Sequence, residues 1–166
     1  MVAEELKKLG ADHIVGLDLL PEARQAAQRD RPDVYADYMV ADLCNLTEKE
    51  YQQLDAHKLN CLVTVAALGF GDIPAKAFAE AFNSLSWEGW LAMTIKEDFL
   101  STGDQSGFGR LLKSMIQSGV VRVSSHQRYC HRLSITGEPI HYISLVAKKL
   151  RDIPTESVAT VESRAA

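Results

Sequence analysis

Apolar residues along the chain recur with two alternating periods, and the alternation predicts the elements before any chemistry is considered. Val2, Leu6 and Leu9 fall on one face of a helix with charges between them, and Gly10 supplies a stop. His13–Leu17 is a short apolar run of strand length, and Pro21 suits the first turn of a helix carrying Ala23, Ala26 and Ala27. The pattern returns at Tyr38–Ala41, a strand candidate closed by Asp42, after which Thr47 is placed to cap a short helix. Asn60–Ala67 is apolar almost throughout, as expected of a parallel strand covered on both faces. Between Pro74 and Leu85, Ala75, Phe78, Ala79 and Phe82 recur at helical spacing, and Ser86–Gly89 breaks the helix. Trp90–Ile95 is a further strand, and a polar loop holding Gly103, Gly107 and Gly109 leads to a helix over Arg110–Gln117 that Gly119 ends. Val120–Ser124 and Ile140–Ala147, joined by a segment containing Thr136–Pro139, pair as a long antiparallel hairpin. From Arg151 the sequence is polar and aperiodic, which predicts a disordered tail over 151–166.

Strands alternating with helices define an α/β class: an open, mostly parallel sheet with helices on both faces and a C-terminal antiparallel hairpin, in one domain over residues 1–150. The 166 residues, 46% of them hydrophobic, suffice for one core of this kind. In such sheets ligands lie beyond the carboxyl ends of the strands. Asp18 and Asp42 both stand just past a strand end, where a carboxylate accepts hydrogen bonds from ribose hydroxyls or an exocyclic amine. Taken singly, each is equally well a helix N-cap; the pair favours a ligand.

Charge and composition then narrow the partners. The net charge of -4 argues against a general phosphate-backbone binder, so no nucleic acid is expected. Cys44, Cys61 and Cys130 form no CxxC and leave an odd thiol, pointing to a reducing, cytoplasmic setting, and no apolar run reaches membrane-spanning length. The glycines at 103, 107 and 109 lack a following Lys-Ser/Thr, so that loop is read as flanking a substrate pocket rather than cradling phosphate. His126, Tyr129, Cys130 and His131 lack the number and spacing of zinc ligands, and no metal is predicted. One of His126, Tyr129 or His131 is a candidate general base, but ordinary surface residues explain them equally, and the catalytic residue stays unassigned. Phe70 and Trp90 are candidates for substrate contact, although aromatics beside apolar strands are more often core, and Met39, Met93 and Met115 read as core packing.

In order and spacing these segments resemble class I, Rossmann-like S-adenosylmethionine-dependent methyltransferases, from the first helix to Lys149. "VGLDLLPEA" looks like the family's second strand and turn, which implies that Asp18 binds both ribose hydroxyls and that Leu19 packs against the adenine or ribose. "VADL" resembles the third-strand tip, implying that Asp42 meets the adenine amine and Leu43 adds backbone or apolar contact. "LVTVAALGFGDI" resembles the fourth strand and its exit, where Ala66 would line the methionine end of the cofactor. The family's first strand and its Asp-x-Gly-x-Gly-x-Gly turn, which precede the helix that here starts at Val2, have no counterpart, so the resemblance implies an N-terminally truncated domain. The implied activity is methyl transfer from S-adenosylmethionine to a small-molecule acceptor. The alternative is a non-catalytic methyltransferase-like module that self-associates through open sheet edges; a weaker third reading is a nicotinamide-dependent oxidoreductase.

Overall fold

The computed structural model describes residues 2–71, 73–101 and 103–162. The chain divides into two compact units, residues 1–51 and 52–166.

In the first unit, α1 (Val2–Lys8) precedes β1 (Val15–Asp18), α2 (Pro21–Asp30) and β2 (Asp37–Val40). β1 and β2 run parallel, from Val15 opposite Asp37 to Asp18 opposite Val40, so α2 is the crossover that parallel pairing requires. Pro21 opens α2 where its missing N–H leaves no acceptor unserved. Gly16 has a specific reason: a Cβ there would lie 2.4 Å from Tyr38 Cδ2, because the Tyr38 ring rests directly on the β1 backbone. Tyr35 meets that ring edge-on at 5.2 Å. Arg31 reaches Glu4 at 3.2 Å, and Lys7 Nζ donates to the Asp33 carbonyl, tying α1 to the turn after α2.

α3 (Glu48–Ala56) starts with a reciprocal cap: Thr47 Oγ1 accepts the Glu50 amide at 3.3 Å, and the Glu50 carboxylate accepts the Thr47 amide at 2.8 Å. The second unit continues with β3 (Cys61–Leu68), α4 (Ala75–Asn83), β4 (Trp90–Lys96), a short 3-10 turn (Glu97–Leu100), α5 (Phe108–Gln117), β5 (Val121–Leu133), β6 (Pro139–Lys149) and α6 (Thr155–Glu162). Its sheet has the order β3-β4-β6-β5, with β3 parallel to β4 and the last two strands antiparallel. One face carries Leu91, Met93, Ile95, Leu145 and Ala147, which pack with Phe78 and Phe82 of α4, Leu111 and Met115 of α5 and Val158 of α6. On the other face Val65, Trp90 and Val146 stay 41%, 41% and 37% exposed. The expectation that Asn60–Ala67 is covered on both faces therefore fails at Val65, as does the core assignment of Trp90, because α4, α5 and α6 all contribute to the same buried face.

Two segments differ from the sequence expectation. β5 runs on to Leu133, pairing residues 125–133 with β6, although both of its faces there are polar. Residues 155–162, expected without regular structure, form α6, whose Val158 joins the core together with Ile153. Asn83 fixes this segment by exchanging two hydrogen bonds with the Ile153 backbone, at 3.1 and 2.8 Å. Residues 163–166 of the expected tail lie outside the described residues. Among the described residues no helix is long and apolar enough to cross a membrane.

Candidate functional site

The strand ends of the first unit carry the two predicted acids. Asp18 closes β1, and its Oδ1 accepts the Leu20 amide at 2.9 Å, so one oxygen serves the entry to α2 in place of an N-cap side chain. Its other oxygen makes no hydrogen bond among the described residues. Leu19 and Leu20 beside it are 56% and 59% exposed, two adjacent apolar side chains with no burial to explain them. The Asp18 carboxylate also acts on Tyr38, whose phenol is pushed up first by desolvation and then by this negative charge. The β1 carbonyl at Asp18 accepts the Ala41 amide at 3.0 Å, which brings the tip after β2 alongside the tip of β1. There Asp42 is already engaged: Oδ1 accepts the Cys44 amide at 2.8 Å and Oδ2 accepts Asn45 Nδ2 at 2.7 Å. It holds its own turn, with Leu43 half-buried beside it, and a ligand amine would have to share its remaining lone pairs.

In the second unit Ala66 lies within β3 at an irregularity where the pairing with β4 jumps from Val65 to Leu68. It adopts the left-handed region, φ 55°, and its amide donates to Thr94 Oγ1 at 2.9 Å. That N–H is thus unavailable to a ligand. The kink redirects the end of β3 toward an open cavity of about 680 Å³ at the carboxyl ends of β3 and β4, whose walls include Phe70, Ile73, Phe99 and Phe108.

The cavity owes its shape to glycine at 69. Gly69 has φ +93°, and a Cβ there would sit 2.3 Å from the Phe99 ring. Phe99 is therefore seated on the β3 exit and meets Phe70 edge-on at 4.8 Å. Of the two sequence readings of Phe70, the core one fails: it is 50% exposed and lines the cavity. Asp104, which sequence reasoning did not single out, is 8% exposed and accepts the Ser106 amide at 2.8 Å and the Gly109 amide at 3.4 Å, organising the start of α5. Its signal was present in the sequence, as an acid placed just before a helix beginning at Phe108. The loop bearing Gly103 borders this cavity. Arg128 of β5 clasps Glu97 with two bonds of 2.8 and 2.9 Å, holding the turn after β4 to the hairpin and drawing the Glu97 carboxyl below its usual range.

The polar cluster on the hairpin is split by the pairing. His126 and Cys130 stand opposite Leu145 and His141, whereas Tyr129 stands opposite Tyr142 on the other face. There Tyr129 Oη lies 3.2 Å from His131 Nδ1, and the His131 ring is 4.3 Å from Tyr142. No group of three metal-ligating side chains occurs among the described residues.

No protein-family model and no curated protein matches the chain. Solved structures do. An S-adenosylmethionine-dependent methyltransferase from Methanosarcina mazei superposes with a TM-score of 0.61 over 90% of this chain and 87% of its own, at 13% identity. The N-methyltransferase NodS from Bradyrhizobium japonicum gives 0.58 over 90% and 81%, at 14% identity. An rRNA methylase from Streptococcus thermophilus gives 0.51 over 84% and 74%, at 13% identity. The fold is thus a Rossmann-like α/β fold, with a two-stranded parallel sheet in the first unit and a four-stranded mixed sheet in the second. More particularly, it is the fold of class I S-adenosylmethionine-dependent methyltransferases.

Proposed function

We propose that the protein transfers a methyl group from S-adenosylmethionine to a small-molecule nucleophile. The observation that carries this reading is Asp18: in a fold shared with methyltransferases, it ends β1 with one carboxylate oxygen uncommitted, beside two exposed leucines. That oxygen suits the ribose hydroxyls, and Leu19 suits the adenosine's apolar edge. Asp42 and Leu43 are assigned to the adenine side, where Asp42 would accept the amine while keeping its own turn. Ala66 is assigned to the methionine end through its kinked backbone rather than its engaged amide.

When bound, the cofactor supplies an activated methyl group, so the chain itself needs no covalent catalysis. Its residues have to bind, orient and exclude water, and alignment of donor and acceptor is worth up to ~7–11 kcal/mol. A small acceptor is favoured by the cavity at the ends of β3 and β4, which lies within the ~300–1,000 Å³ range of small-molecule sites.

A second reading, a nucleic-acid acceptor, has one observation behind it. Strands β3 to β6 carry six lysines and arginines and no aspartate or glutamate, and Arg122 and Arg132 are exposed. One neighbour in the fold is itself an rRNA methylase.

Calorimetric titration with S-adenosylhomocysteine tests the main reading. The wild-type chain should bind, and Asp18→Asn, which keeps the acceptor for the Leu20 amide but removes the charge, should bind about 10-fold more weakly, as expected for losing ~1.4 kcal/mol of charge-assisted bonding. No heat from wild type at millimolar ligand would overturn it. Competition of an unlabelled RNA pool against methyl incorporation into small molecules separates the two acceptor readings.

A further inference from the structure

We propose that the cavity at the ends of β3 and β4 selects a planar aromatic acceptor, a ring bearing a hydroxyl or amino nucleophile, and that Phe70 determines this specificity. The inference rests on the cavity being the acceptor site.

Three of the chain's five phenylalanines, at 70, 99 and 108, line this one cavity. Phe108 is buried and meets Phe78 edge-on at 5.7 Å, so it forms a fixed wall. Phe99 is seated where Gly69 leaves room and cannot retreat into β3. Phe70 stands apart from these two: it contacts Phe99 at 4.8 Å with an interplanar angle of 82°, yet half of its surface remains open. An aromatic pair of this geometry presents one ring face and one ring edge, and a third ring is the shape that meets both.

The polar groups around the cavity point to the same class. Asp98 is paired with Lys96, and both oxygens of Asp104 accept backbone amides of the α5 entry. Ser101 Oγ donates to the Asp98 carbonyl, and Ser106 Oγ accepts the Phe108 amide. Gln105 makes no hydrogen bond among the described residues and lines the cavity, so its amide is placed to meet a neutral hydroxyl or amine. Such a lining favours an uncharged ring over a strongly ionic acceptor.

The test compares 2-naphthol with decahydro-2-naphthol, which share size and hydroxyl but differ in planarity, on the full chain saturated with S-adenosylhomocysteine. 2-Naphthol should bind about 5- to 10-fold tighter, the ratio that corresponds to one aromatic pair. Phe70→Leu should bind both compounds alike, and Phe70→Trp should keep the preference. Because Phe70 is exposed, the variants are expected to fold, and unchanged affinity for S-adenosylhomocysteine verifies it. Equal affinity of wild type for the two compounds, or a preference that survives Phe70→Leu, overturns the proposal. Loss of naphthol binding in a chain that still binds S-adenosylhomocysteine overturns it too, leaving methyl transfer standing. Naphthol preference without S-adenosylhomocysteine binding instead refutes the methyl-transfer reading and keeps the aromatic pocket.

Discussion

Replacing Lys149 by methionine should destabilise the second unit by about 3 kcal/mol. Lys149 is only 3% exposed, and its ammonium donates to the carbonyls of Phe82, Asn83 and Leu85 at 3.1, 2.8 and 2.8 Å, where the end of α4 leaves acceptors without helical partners. The Phe82 carbonyl keeps the Leu85 amide when the lysine goes, so the groups chiefly orphaned are those of Asn83 and Leu85. Each stranded carbonyl costs roughly 1–3 kcal/mol, while relief from burying an ammonium returns part of the sum, which sets the estimate near 3. The pair with Asp152 at 2.7 Å adds little, since that carboxylate is exposed. Methionine keeps an unbranched apolar stem and removes the ammonium, which also lies 5.3 Å from the centre of the Phe82 ring. Both tryptophans of the chain, at 87 and 90, lie in this unit, and urea unfolding followed by their fluorescence reports on it. The expected loss corresponds to a Tm lowered by about 6–12 °C. A loss below about 1 kcal/mol would refute the claim that this lysine caps α4.

Other consequences test separate parts of the structure. Gly16→Ala should destabilise the first unit by about 1–3 kcal/mol, read by chemical denaturation, because its methyl would meet the Tyr38 ring at 2.4 Å. Glu50 and Glu97 are both held below the usual 4.5, by the Thr47 hydroxyl and by Arg128 respectively. Their contribution should therefore be complete above that value and lost as pH falls through their lower folded values; Glu50→Gln with Glu97→Gln should flatten the acid limb of a stability profile below about pH 4.5. Thr47→Ala should cost about 1 kcal/mol in the same assay by removing the α3 cap. Among the described residues β3 hydrogen-bonds to β4 alone, and pairing of a second copy along its other edge would show as a concentration-dependent sedimentation coefficient that Val65→Lys reduces.

Where burial and period coincide, the fold was legible. Trp90–Ile95 announced β4 because Leu91, Met93 and Ile95 fill a core at alternate positions, Asn60–Ala67 announced β3 by its apolar run although only Leu62 of it packs against that core, and Thr47 announced α3 because a cap is local chemistry. The far half of β5 was not legible: its backbone pairs with β6, but with both faces in solvent no alternation is imposed on the sequence. α6 escaped for a related reason, being anchored by Ile153 and Val158, too few apolar residues to show a period. The strand-end position of Asp18 was readable from the apolar run before it. For Phe70 the sequence left core and substrate contact open, since whether an aromatic at a strand exit turns inward or outward depends on Gly69 and Phe99, which meet only in three dimensions.

The proposed adenosine site is the pair of strand ends in the first unit, around Asp18 and Asp42. Amide chemical shifts of the ¹⁵N-labelled chain titrated with S-adenosylhomocysteine test it most directly. The largest changes are expected at Leu19, Leu20 and Leu43, with Asp18→Asn weakening all of them together. Changes confined to the β5–β6 hairpin, or no change at millimolar ligand, would contradict it.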